Sequence, residues 1–181
     1  MKSKLKNLLK DVLYLSLKPF GDGFSNRLFP ISLLLKHIII QKVLGINSHV
    51  PWPVHWTSQI KAVERIDRGT RCPGLAVGCY IDGRNGIIIG KNTWIGPYVR
   101  IISMNHNVSN YTKFQVDRPI IIGNNCWLAA GCTILSGVSL GNHVVVAAGA
   151  VVAKSFDEDD ILLAGVPARI VKSLPPYESD E

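Results

Sequence analysis

The sequence holds one histidine placed to act as a base. His106, preceded by Asn105, closes a regular stretch and opens Asn107 to Ile121, 15 mostly polar residues after which the regularity resumes at Ile122. A segment ejected between regular elements usually carries function. An imidazole titrates near neutrality, so at the root of such a loop it suits removal of the proton from an attacking hydroxyl. The plainer alternative is a loop histidine with one structural hydrogen bond. Something must orient the ring. Asp82 and Asp117 are the candidate carboxylates, a backbone carbonyl would serve equally, and a purely structural role stays open for each.

The four cysteines offer no competing chemistry. Cys72, Cys79, Cys126 and Cys132 match no CxxC zinc spacing, and a chain of 181 residues with four cysteines needs no disulfide framework. Cys126 and Cys132 are expected as small buried hydrophobes in a reducing compartment.

The elements that position His106 follow from a period of six. An aliphatic residue recurs at Ile122, Leu128, Ile134, Leu140, Val146 and Val152, and a shorter series, Ile89, Ile95 and Ile101, lies upstream. Six fits neither a helix of 3.6 residues per turn nor a simple amphipathic strand. It fits short strands joined by corners. The fifth position of each hexad, Cys126, Cys132, Val138, Val144, Ala150 and Phe156, is also expected inside, and only the last is bulky. The fourth position is Asn125, Gly131, Gly137, His143 and Gly149, residue types that tolerate a left-handed backbone at a corner. Stacked coils would pair parallel strands about 4.8 Å apart around an aliphatic axis.

Upstream, Leu75 and Ile81 are in step and a slip follows at Asp82-Gly83-Arg84-Asn85-Gly86, a turn by composition. Residues 49–69 are expected to cap the open end of the solenoid; within them His49 to Trp56 holds two prolines, and its Trp and His residues could instead line a substrate mouth. Residues 1–48 form a basic extension with two expected helices. Up to Gly45 it carries eight Lys/Arg against Asp11 and Asp22, a balance of +6 within a net charge of +7. Lys10 and Asp11 interrupt any signal-like apolar core, while Pro30, Lys36, His37 and Lys42 shorten the 28–46 run below a membrane span. The helices are expected to pack on the solenoid base or a neighbouring subunit; the sharper reading is an amphipathic surface on anionic lipid. Nucleic-acid binding is not expected, because the cations are spread among aliphatics with little aromatic interleaving.

With these repeats and the Asn105-His106 loop followed by Ile122-Gly123-Asn124-Asn125-Cys126-Trp127, the chain resembles the hexapeptide-repeat acyltransferases, closest to the sugar and polysaccharide O-acetyltransferases. The resemblance covers roughly residues 70–173. It implies an all-β fold, a left-handed parallel β-helix; the short helical extension precedes it, and the residues at 174–181 form an acidic tail. It also implies a homotrimer with sites between subunits, an acetyl-CoA donor, no metal, and a sugar hydroxyl acceptor. His106 would be the general base, with Asp82, Asn105 and Trp127 near the acceptor or the thioester end. Acetyl-CoA would contact Ala130, Ala148, Ala153, Lys154, Arg169 and Lys172, the last of which could also be a solvated charge. Between Lys154 and Gly165 the chain runs one residue longer than those relatives, which shifts the register of the distal contacts.

Three alternatives are weighed. Serine acetyltransferases place their histidine directly after an aspartate, where this chain has Asp82-Gly83. Metal-dependent enzymes on this helix need three histidines, and the solenoid offers only His106 and His143. A non-catalytic scaffold of the same repeats remains, as does a non-sugar acceptor such as serine or an antibiotic. The compartment expected is the cytoplasm, with peripheral contact at the inner face of the membrane.

Overall fold

The computed structural model describes residues 2–178, with side chains described from residue 7 onward. Parallel strands of two to four residues wind into a three-sided solenoid. Along the chain each coil crosses a first face, a second and a third. The first face stacks Gln59–Lys61, Tyr80–Asp82, Arg100–Ile102, Thr133–Ile134 and Val151–Val152. The second stacks Ile66–Asp67, Ile87–Ile89, Ile120–Ile122 and Ser139–Leu140, with Phe156 bridging to Leu140 above. The third stacks Trp94–Ile95, Trp127–Leu128, Val144–Val146 and Ile161–Ala164, and ends on Arg169–Ser173, which runs antiparallel.

The hexads account for this winding. Ile122, Leu128, Ile134, Leu140, Val146 and Val152 are all buried, as are Cys126, Cys132, Val138, Val144, Ala150 and Phe156. Both inward positions thus fill one continuous axis, where apolar burial contributes about 25 cal/mol per Å². The corners turn through left-handed backbone at Asn125 (φ 56°), Gly131 (69°), Gly137 (71°), His143 (50°) and Gly149 (69°).

The solenoid begins earlier than the repeats imply. Gln59–Lys61 pairs with Tyr80–Asp82 and Ile66–Asp67 with Ile87–Ile89, so the first coil lies within the stretch expected to be only a cap. Hexad spacing is broken there by the turn Val63–Arg65 and by Arg68 to Gly74. The cap proper is Val50, Trp52 and Val54, buried against the lowest coil, with the Trp52 indole N–H donating to Pro73 O at 2.9 Å. Ahead of it lie α1 (Lys2–Ser16) and α2 (Ile31–Ile38), the latter continued by a wider turn to Val43. Leu34 and Ile38 of α2 form a small core with Leu17 and Phe24 of the link between the helices, and Tyr14 of α1 packs against it. Of the tail at 174–181, residues 174–178 lack regular structure and Ser179, Asp180 and Glu181 lie outside the described residues.

Candidate active site

The segment after Met104 is a β-hairpin, Asn105–Asn107 pairing with Asn110–Gln115, and the frame resumes at Ile120. It leaves the solenoid at the edge between the first and second faces. Its tip is closed by the Asn107 carboxamide oxygen, which accepts from the N–H groups of Ser109 and Asn110 at 2.9 and 3.1 Å. Its root is tied to the wall by Asn85, whose side-chain amide donates to Ser103 O at 2.8 Å and Gln115 O at 3.1 Å.

His106 sits opposite Phe114 in the hairpin, ring centroids 4.8 Å apart. Its Nδ1 lies 2.6 Å from Tyr111 O. A carbonyl oxygen only accepts, so Nδ1 carries the proton and, in the neutral ring, Nε2 keeps its lone pair. The backbone carbonyl is therefore the orienter, and neither candidate carboxylate bonds the ring. Sequence alone had no signal for this, because every residue carries a carbonyl.

Asp82, expected near the substrate, is instead buried inside the wall, with Arg84 gripping both carboxylate oxygens at 2.7–3.1 Å. Burial by itself pushes the Asp82 carboxyl pKa up, but the Arg84 guanidinium and backbone N–H outweigh it and hold the group below the usual carboxylate range. The same guanidinium lies over Phe114, 4.6 Å from its centroid. Asp82 thus reaches His106 only through Arg84 and Phe114, two residues that reading the sequence missed. Asp117 serves the hairpin's return. It accepts from Arg118 N–H at 2.8 Å, and the Ser136 hydroxyl lies 2.9 Å from it. Gly137 permits this approach, since a Cβ there would stand 2.9 Å from the carboxylate oxygens. Asn105 is exposed at the hairpin root, paired with Gln115.

The remaining expected residues are divided among edges and faces. Ala153 and Lys154 follow Val151–Val152 and lie exposed on the same edge as the hairpin, higher up. Ala130 and Ala148 are stacked one coil apart on the opposite edge of the first face, Gly149 N–H donating to Ala130 O at 2.9 Å. The corner beside them is open, with nothing within 4 Å of a Cβ built at Gly131 or Gly149. Trp127, Arg169 and Lys172 are exposed on the third face, which lies across the prism from the hairpin edge. There Trp127 is in register with Trp94, in a groove of about 430 Å³ that also includes Val145, His143 and Tyr177. His143 Nδ1 lies 2.7 Å from Asp160 Oδ1, so this corner histidine has a local partner. One copy does not bring His106 and Trp127 together.

All four cysteines are buried. Burial raises the thiol pKa of Cys72 and Cys132 to about 12 and of Cys126 to about 11, so none is a ready nucleophile. Among the described residues, no group of three or more His, Cys, Asp or Glu is arranged to hold a metal ion.

Residues 119–154 match the family model described as bacterial transferase hexapeptide (six repeats). The Escherichia coli K12 galactoside O-acetyltransferase is 32% identical over 91 residues, 49% of this chain and 44% of that one. A maltose O-acetyltransferase from Clostridium difficile 630 superposes with a TM-score of 0.52 at 28% identity, covering 56% of each chain. A hexapeptide-repeat acetyltransferase of Vibrio cholerae, solved with acetyl coenzyme A, shares the fold over 93% of this chain and 88% of its own, TM-score 0.53 at 22% identity. The solenoid thus has the left-handed parallel β-helix fold, and residues 119–154 within it carry the hexapeptide repeat. The chain spans about half the length of the curated relatives it matches.

Proposed function

We propose that this protein is an acetyl-CoA-dependent O-acetyltransferase acting on a sugar hydroxyl of a glycan or glycan precursor, in polysaccharide biosynthesis. The observation that carries the reading is the fixed tautomer of His106, with Nδ1 held by Tyr111 O at the root of a hairpin leaving an acetyltransferase-type solenoid. Nε2 takes the acceptor proton as the oxygen attacks the thioester carbonyl. The new C–O bond forms, the C–S bond breaks, and the departing thiolate recovers the proton from the imidazolium. A thiol pKa near 8.5 makes that leaving group good without a separate acid. The tetrahedral oxyanion calls for N–H donors.

The donor fits the exposed small-residue edge at Ala130 and Ala148, where open corners leave room for a pantetheine arm, with Ala153 and Lys154 across the same face. Arg169 and Lys172 suit its phosphates. A second copy would bring Trp127 of its third face to the hairpin edge, which favours a homotrimer with sites between subunits. Four free, buried cysteines favour a reducing cytoplasmic setting. Thiol release from acetyl-CoA, measured with sugars, serine and streptogramin-type antibiotics, tests the reading. Turnover should appear with a sugar acceptor; turnover only with serine or an antibiotic rejects the acceptor class, and heat-free, acceptor-independent silence supports a scaffold.

A further inference from the structure

We infer that the N-terminal extension docks in the plane of an anionic phospholipid surface. The orientation of α1 carries this inference. A surface helix normally turns its apolar stripe to the core, but α1 does the opposite. Tyr14 faces the protein and donates its hydroxyl proton to Phe29 O at 2.9 Å, while Leu8, Leu9, Val12, Leu13 and Leu15 lie outward, Leu9 62% and Leu15 67% exposed. A second exposed stripe runs through Leu35, Ile39 and Val43 at steps of four, with Val43 73% exposed. Neither helix is long and apolar enough to cross a membrane, which leaves an in-plane arrangement.

Charge decides between lipid and a second copy of the chain. The extension carries +6, and both its acids are already engaged, Asp11 with Arg27 at 3.0 Å and Asp22 with Arg68 at 2.8 Å. Extensions from two copies would meet with like charge, whereas an anionic bilayer matches the apolar stripe and the surplus cations together. The side chains of Lys2, Lys4, Leu5 and Lys6 lie outside the described residues and contribute only their sequence charge.

The full chain should co-sediment with phosphatidylglycerol/phosphatidylcholine vesicles, weakly or not at all with pure phosphatidylcholine, and less as salt rises from 0.1 to ~0.5 M, where screening shortens to a few ångströms. Two exposed-site variants test the two components separately. Lys10→Glu/Lys18→Glu changes the charge by four units and should lower partitioning by roughly 600-fold, at about fivefold per unit of charge near the surface. Leu9→Ser/Val12→Ser should abolish it, and light scattering should show the oligomeric state of both variants unchanged. No binding to anionic vesicles, or equal binding to neutral ones, overturns the inference. So does a change of oligomeric state in Leu9→Ser/Val12→Ser, which would assign the stripe to a second copy.

Discussion

Nδ1 of His106 and the carbonyl oxygen of Tyr111 are 2.6 Å apart within one hairpin, so the proposed base and its orienter move as a unit. Because the orienter is backbone, it has no titration of its own. His106→Ala should lower turnover by roughly 10²–10⁴-fold with acetyl-CoA affinity nearly intact. Steady-state kinetics beside calorimetry check this; normal turnover in the folded variant removes His106 from the mechanism.

Arg84 holds the buried Asp82 carboxylate and also covers Phe114. Arg84→Met leaves a buried acid without its partner and should cost about 1–3 kcal/mol, below the ~3–5 kcal/mol of a fully buried pair because Arg84 is a third exposed. The Asp82 pKa is lower in the fold than in the open chain. Ionised Asp82 therefore stabilises the protein above the unfolded carboxylate range, and this contribution disappears as pH falls through the lower, folded value. Denaturant melts of Asp82→Asn should accordingly show a shallower loss of stability below about pH 4 than the parent, in the range where an ordinary carboxylate takes up its proton. Identical acid slopes would mean that the pair does not stabilise the fold.

His106 and Trp127 stand at opposite sides of one prism, which makes a site between copies testable by mixing. In the proposed homotrimer, random mixing of His106→Ala and Trp127→Ala chains would regain one complete site per mixed ring, roughly a quarter of the parent's sites at equal ratio under cyclic symmetry. Co-expression should recover that activity from two inactive chains. Additive inactivity would show that each copy builds its site alone.

Ala148 lies exposed on the open corner beside Gly149. Ala148→Tyr should block the donor without touching the axis, so calorimetry should lose the acetyl-CoA signal while the ligand-free Tm stays nearly unchanged. In the parent, acetyl-CoA at a hundredfold excess over Kd should add about 2.7 kcal/mol of stability. If saturating acetyl-CoA gives the parent neither heat nor a thermal shift, the donor assignment fails.

The axis and the corners were legible in sequence because each hexad repeats one local rule, an aliphatic inside and a left-handed residue at the turn. Asn125 and His143 have the positive φ expected of them. The first coil was not legible, since Gln59 to Asp67 holds its place by pairing with strands about 21 residues on, a relation that local spacing does not display. The same limit applies at the site. His106 was a candidate by type and position, but its partner is a main-chain oxygen, and Asp82 gave no sign of being claimed by a neighbour two residues away. The residues expected around the cofactor are all exposed, yet their separation across three sides depends on the winding and not on any residue's type.

The reversed last strand, Arg169–Ser173, has a consequence for the shape of any assembly. A parallel stack is in principle endless, because its top coil offers the next one the same template that it received. Here the third face ends on a strand of opposite polarity, with a register shift at Leu162/Leu163, while the bottom is plugged by Trp52 and Val54. The third face therefore offers no parallel template to a further coil, and the buried plug covers the lowest one. For the homotrimer proposed above, association through the flanks of the solenoid then favours closed rings of fixed size over filaments.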